Sequence, residues 1–290
     1  MSRLNNEEVT TPPRDAATVL LLRDGTRALE VLMLRRNRES SVLADAFVFP
    51  GGKLDPHDAD PALAPRIDLD AAAMVSLLGE PGLTPDHARG LFVAACRETF
   101  EEANVLLSPQ SAAVQRVERA IAAGTPFATA LGDIGVELSA SRMHPWSRWI
   151  TPRVPSMTNR RFDTRFFVAE LPRGADVRHD EHEAVEARWL DPRDALARYW
   201  AGEMVLAPPQ IQSLAHLARH RDVAGVLAEA ALRPPPLIQP EPFSLDGQRM
   251  IAYPGDERHA VRERAFPGPT RLVVRNERFE PADGFEGFFR

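Results

Sequence analysis

Residues 96–107 read CRETFEEANVLL, and residues 46–58 read AFVFPGGKLDPHD. In the first stretch Arg97, Glu98, Glu101 and Glu102 place four charges in six positions, although the flanking residues are apolar. On a helix, glutamates at i, i+3 and i+4 project from one face within about one turn. Like charges at that spacing destabilise a helix by about 0.2–0.5 kcal/mol per pair. The arrangement therefore asks for a compensating cation, and an oxygen-only donor set is what Mg²⁺ or Mn²⁺ prefers, commonly beside substrate phosphates. A bare triplet also fits a solvated acidic face, so the second stretch decides. There Phe49-Pro50-Gly51-Gly52 ends a strand in a turn that glycine adopts easily, which lets the backbone approach a ligand or metal closely.

Working outward, AATVLLLR and ALEVLMLRR are apolar runs joined at Asp24-Gly25, a hairpin signal, and AFVFP is a short third strand. A long helix starts at Thr84-Pro85, with threonine at the N-cap and proline at the first helical position, and runs to about Leu107. A further helix is predicted over 110–123, followed by a loop and three strands in WSRWIT, RRFDTRFFVAEL and VEARWL. DPRDALARYWAGE, QIQSLAHLARH and VAGVLAEAAL are helical, and beyond the break RPPPLIQPEPF two strands lie in RMIAY and TRLVVRN. The expected organisation is a disordered lead-in over 1–14 and an α/β domain over 15–200, interrupted at 59–83 by an insertion with one short helix. A helical and β extension over 201–290 is expected to pack on the core or on a partner subunit, a homodimer being the assembly this would allow.

The totals exclude several classes. No apolar stretch approaches the roughly 20 residues of a membrane helix, and residues 1–17 lack an apolar signal core, so a cytoplasmic protein without membrane contact is expected. A net charge of −6 with no concentrated basic patch speaks against nucleic acid as partner. Cys96 is the only cysteine, which excludes an intrachain disulfide and a cysteine-based zinc cluster; behind Ala94 and Ala95 it reads as a core thiol.

Taken together, PGGKLDPHD and ACRETFEEANV resemble a split Nudix box, whose family pattern is G-x5-E-x7-R-E-U-x-E-E-x-G-U with U a bulky apolar residue. Gly52 opens the box, Asp58 stands at the first glutamate, and Arg97-Glu98 and Glu101-Glu102 are the RE and EE pairs. The chain departs from the pattern in a spacer of 38 residues (59–96), in Asp58 for glutamate, in Thr99 for a more apolar residue and in Asn104 for the closing glycine. Asn is the next best residue for a left-handed helix end. With such a spacer, Asp55 or Asp60 could stand in for Asp58. The resemblance implies an α/β/α sandwich with a mixed β-sheet that hydrolyses a diphosphate joining a nucleoside to another group, with Mg²⁺ or Mn²⁺ as cofactor. Glu98, Glu101, Glu102 and the Gly51 carbonyl would be the metal ligands, and Arg97 would orient the carboxylates or make an ordinary helix salt bridge.

The interrupted box, with DAFVFPGGKLD, RRFDTRFFVAEL, HEAVEARWL, LAPPQ and YPGDE, further resembles the branch of animal peroxisomal coenzyme A diphosphatases. That branch implies cleavage of coenzyme A or acyl-coenzyme A to 3′,5′-ADP and (acyl-)4′-phosphopantetheine. The upstream signature of another coenzyme A-cleaving group is partial: Arg35 fits, while its second arginine and its glycine fall on Ser41 and Asp45. HDEHEAVEARWL offers Glu183, then Glu181, as a general base, or else is a solvated acidic loop; His182 reads as a surface residue. Arg35, Arg36, Arg160 and Arg161 are the candidates for phosphate binding, and the insertion 59–83 is expected on the acyl or pantetheine side of the pocket. Other substrates with the same chemistry are ADP-ribose, NADH and dinucleoside polyphosphates. A regulatory, non-catalytic ligand-binding module is the reading from another class.

Overall fold

The computed structural model describes residues 8–38, 43–154, 160–180 and 184–290. Its main sheet has eight strands: β1 (Arg14–Asp24), β2 (Leu29–Arg36), β3 (Phe47–Val48), β4 (Gly51–Lys53), β5 (His144–Ile150), β6 (Phe162–Glu170), β7 (Ala184–Leu190) and β8 (Leu237–Ile238). The helices are α1 (Ala71–Leu78), α2 (Pro85–Ala103), α3 (Val114–Ala122), α4 (Phe127–Ile134), α5 (Pro192–Trp200), α6 (Pro208–Leu217) and α7 (Val223–Leu232). A second, antiparallel sheet of β9 (Glu241–Leu245), β10 (Gln248–Ala252), β11 (Arg271–Arg275) and β12 (Arg278–Glu280) closes the chain.

β1 is buried on both faces, which is why its sequence is a continuous apolar run rather than an alternation. Leu20 and Leu22 join one apolar cluster with Trp146, Phe166, α5, α6 and α7; Val19 and Leu21 join the other with α1, α2, α3 and α4. The result is the expected helix–sheet–helix sandwich around a mixed sheet. β1 runs parallel to β6 along its length, from Arg14 opposite Phe162 to Leu22 opposite Glu170. On its other edge β1 is shared. Its end, 22–24, pairs with β2, while Ala16–Thr18 pair with β4. β2 meanwhile leans away to pair with β7 and β3. The β3–β4 segment fills the opening between β1 and β2, pinned by the Val19 N–H donating to the Pro50 carbonyl at 2.9 Å. This wedge drops Gly51-Gly52 beside α2.

The chain after residue 200 packs into the same core. β8 extends the main sheet beside β5, and Tyr253, Leu272, Phe279 and Phe288 are buried with Trp146, Trp149 and Tyr199. The Tyr199 hydroxyl accepts from the Phe279 N–H at 2.7 Å and donates to its carbonyl at 3.1 Å, tying α5 to β12. Burial pushes that phenol up to about 12, so it stays protonated as a donor.

Several expectations need correction in detail. Of the lead-in expected over 1–14, residues 1–7 lie outside the described residues, the Val9 N–H donates to Arg153 O at 2.7 Å, and Arg14 already belongs to β1. The region read as a loop after residue 123 contains α4, started behind Pro126 and ended by Gly135 in a left-handed turn. The tail has β8, β9 and β12 besides the two strands expected, because edge and proline-flanked strands carry little periodic signal. The insertion packs against the back of α2. Arg89 donates to Ala59 O at 2.7 Å, Ser141 binds Asp68, and Glu80 pairs with Arg148 and Arg165.

Candidate active site

α2 brings the charged turn to the wedge. Its N-cap Thr84 accepts from the His87 N–H, Pro85 occupies the first position, and Asn104 ends it in the left-handed conformation at φ 56°. Phe92 packs on Phe167 of β6 with ring centroids 4.8 Å apart, which fixes the helix's rotation. Thr99 is fully buried, and its hydroxyl donates to Ala95 O at 2.7 Å, so the polar atom costs little there.

Arg97 is the hub. Its Nε and Nη2 grip the two Asp58 oxygens at 2.8 and 2.9 Å, Nη2 also donates to the Lys53 carbonyl at 3.0 Å, and Nη1 reaches Glu98 and Glu101 at 2.9 Å each. Burial alone would lower the Arg97 pKa; the Asp58 hydrogen bonds and the negative charge of Glu98, Asp58 and Glu101 outweigh it and hold the pKa above the usual guanidinium value. Of the three aspartates open to the box position, Asp58 is the one facing Arg97. Asp55 caps the short turn Pro56–Ala59 by accepting from His57 N–H, and Asp60 accepts from Ala62 N–H.

Gly51 and Gly52 are needed for close approach. A Cβ on Gly52 would stand 2.5 Å from the Glu98 carboxylate, and one on Gly51 2.5 Å from the Ala17 carbonyl and the Thr18 hydroxyl. The Gly51 N–H donates to Glu102 at 2.9 Å. Glu98, Glu101 and Glu102 are thus drawn to one junction of turn and helix, and with the Gly51 carbonyl they form a donor set of oxygens only. That chemistry fits a hard divalent cation such as Mg²⁺ or Mn²⁺. The three carboxylates are spread around Arg97 and the Gly51 amide; among the described residues the compact ligand cluster lies elsewhere, at His216, His220 and Glu229.

A cleft of about 780 Å³ opens above this junction. Glu98, Glu102, Gly51 and Arg97 are part of its lining, together with apolar residues that include Trp149, Phe166, Pro208, Pro209, Pro240 and Ile251. The chain beyond residue 200 thus contributes to the apolar lining. Gln210 also lines the cleft; it is 7% exposed, with its Oε1 buried and without a hydrogen-bond partner.

The four candidate arginines divide in two. Arg36 and Arg160 line the cleft. Arg35 instead grips Asp45, Nε to Oδ1 at 2.7 Å and Nη2 at 2.6 Å. Arg161 is buried and donates to the Thr151 and Thr11 carbonyls. Asp45 has φ 62°, so the position where the partial signature has glycine keeps a left-handed backbone while carrying a carboxylate. Glu183, Glu181 and His182 lie outside the described residues. No residue of 59–83 lines the cleft. Cys96 is buried against Met143, and burial raises its thiol pKa far above the ordinary value, so it is no nucleophile. The cleft residues missed in the sequence were Thr18, Trp149, Gln210 and Ile251; LAPPQ was visible as a motif, but nothing local assigned it to the cleft.

The family model described as NUDT19 Nudix domain matches residues 78–217. The chain is 27% identical over 272 residues to a putative nudix hydrolase 7 of Caenorhabditis elegans, covering 92% of this chain and 81% of that protein. It is 28% identical over 273 residues to the human acyl-coenzyme A diphosphatase NUDT19, covering 78% of this chain and 71% of the other. The crystal structure of a NUDIX hydrolase from Alicyclobacillus acidocaldarius superposes with a TM-score of 0.58 at 28% identity, over 76% of this chain and 97% of that one.

Proposed function

The chain belongs to the Nudix hydrolase superfamily, and on that premise we propose that it hydrolyses the diphosphate of coenzyme A or an acyl-coenzyme A. The products are 3′,5′-ADP and (acyl-)4′-phosphopantetheine. The observation that supports this substrate is the mixed lining of one cleft, in which carboxylates, a glycine turn and arginines share the wall with apolar residues and the amide side chain of Gln210. A substrate that joins a diphosphate to a long, amide-bearing arm matches that mixture. The relationship to acyl-coenzyme A diphosphatases supports the same reading.

Glu98, Glu101, Glu102 and the Gly51 carbonyl would hold Mg²⁺ or Mn²⁺, which supplies neutralisation of phosphate charge and acidifies water for attack on phosphorus. Arg97 holds Glu98 and Glu101 in place through Nη1 and is itself locked by Asp58, so the carboxylates meet the substrate already oriented. Arg36 and Arg160 lie where they can bind phosphate oxygens, including a 3′-phosphate, with planar paired donors. Trp149, Pro208 and Pro209 exclude water from the arm, and Gln210 places an amide side chain in the same wall. Glu183, just ahead of β7, is the proposed general base.

The test is turnover with Mg²⁺ and with Mn²⁺ against coenzyme A, acyl-coenzyme A, ADP-ribose, NADH and diadenosine polyphosphates, with products identified by mass. Release of 3′,5′-ADP from coenzyme A species, lost in Glu102→Gln, is expected. Faster turnover of ADP-ribose, NADH or a dinucleoside polyphosphate would keep the chemistry and discard the substrate. Tight binding of one ligand without any turnover would favour a regulatory module.

A further inference from the structure

Away from the cleft, α6 and α7 are joined by a short turn. That corner brings together three side chains the hydrolytic reaction does not use. His216, in the last turn of α6, and His220, in the turn after it, both aim Nε2 at the carboxylate of Glu229 on α7. His216 Nε2 lies 2.8 Å from Oε1 and His220 Nε2 3.0 Å from Oε2; one ligand atom from each of the three residues lies within 4.8 Å of the others. His220 Nε2 is buried, and for all its proximity it satisfies no hydrogen-bond geometry. Arg233 donates to Glu229 Oε1 at 2.8 Å and lies over Trp146 at 4.5 Å, while Trp146 stacks on the His216 ring at 4.4 Å.

We propose that His216, His220 and Glu229 form a second cation site, distinct from the cleft and selective for a borderline divalent ion such as Zn²⁺. Two imidazoles and a carboxylate are a ligand set that zinc takes with water in the fourth position. A tetrahedral ion with bonds of about 2.0–2.1 Å spaces its ligands about 3.3 Å apart, so the two histidine–carboxylate contacts would open slightly while the ligand atoms as a set, now within 4.8 Å of one another, draw together. The supporting shell is in place, since the carboxylate is already hydrogen-bonded by Arg233 and the His216 ring is wedged by Trp146. The two sites would sort metals by ligand type: nitrogen-rich here, oxygen-only in the cleft. The site's function is mechanical. An ion here clamps α6 to α7, and α6 begins with Pro208, Pro209 and Gln210, which form part of the cleft wall.

The experiment uses the full chain, stripped with chelator, incubated with Zn²⁺ in excess Mg²⁺, desalted and analysed for metal, with Tm measured beside it. The wild type and Glu102→Gln should each retain about one zinc per chain and melt higher than their stripped forms. His220→Ala and Glu229→Gln should retain none and show no zinc-dependent rise; the second keeps an acceptor for Arg233, guarding against simple misfolding. The inference is overturned if the wild type retains no zinc, if both His220→Ala and Glu229→Gln retain as much as the wild type, or if Glu102→Gln alone loses it.

Discussion

Two arginine–carboxylate clusters flank β1, and they differ in what they are for. Arg97 meets Asp58, Glu98 and Glu101 at the wedge. Arg165 and Arg148, on β6 and β5, meet Glu80, Asp163 and Asp15 under the insertion. In both, burial works against the guanidinium charge and the carboxylates restore it. Among these contacts the first has one guanidinium for three carboxylates and opens on the cleft. The second has two for three, and none of its members lines the cleft. The same pair chemistry thus occurs once with charges nearly balanced and away from the cleft, and once with carboxylate in excess beside open volume, where the proposed hydrolytic site lies.

The largest effect that would sharpen this contrast is on stability. Arg165→Met removes the buried guanidinium that meets Glu80, Asp163 and Asp15, leaving Glu80 its pair with Arg148. It should cost about 3 kcal/mol, the low end for a broken buried pair, in denaturant unfolding, while kcat/KM per folded molecule stays within about threefold. Activity lost without a stability change would break the comparison. Glu102→Gln should do the reverse, lowering kcat at least about 100-fold, the upper end of what partners of metal ligands cost, with its unfolding midpoint nearly unmoved. Next, Arg160→Ala should raise KM about tenfold, a loss of about 1.4 kcal/mol, with kcat little changed. Arg161→Ala should leave KM alone and unfold earlier; equal KM effects at both positions would refute the division between them. The smallest is Asn104→Gly, which suits the left-handed helix end and should shift stability by no more than a few tenths of a kcal/mol, readable as a small change in Tm.

The legible part of the molecule was the part written in short-range chemistry. Thr84, Pro85 and Asn104 bound α2 because capping and left-handed preference are local properties. The carboxylate turn and the glycine pair were visible because their spacing is itself the chemistry. What could not be read is long-range. Arg35 and Arg36, or Arg160 and Arg161, differ only in which way neighbouring strand positions face, and only the sheet shows which side holds the cleft. The apolar wall needs α6 and β10 brought to β5 from far along the chain. The place of the insertion is long-range as well: in sequence it lies between the two halves of the box, while Glu80 and Ala59 anchor it to Arg165 and Arg89.

The interrupted box also has a consequence for folding order. Lengthening the family's seven-residue spacer to 38 residues makes joining Asp58 to Arg97 a wider loop closure, with an added entropy cost of about 1.5 kcal/mol at roughly 0.6 kcal/mol per doubling. The contacts of Ala59, Asp68 and Glu80 give the inserted chain anchors of its own, each closing part of that loop. Assembly of the hydrolytic junction should thus follow docking of the insertion rather than precede it, so a chain caught before that step would have its helix and its glycine turn but no site between them.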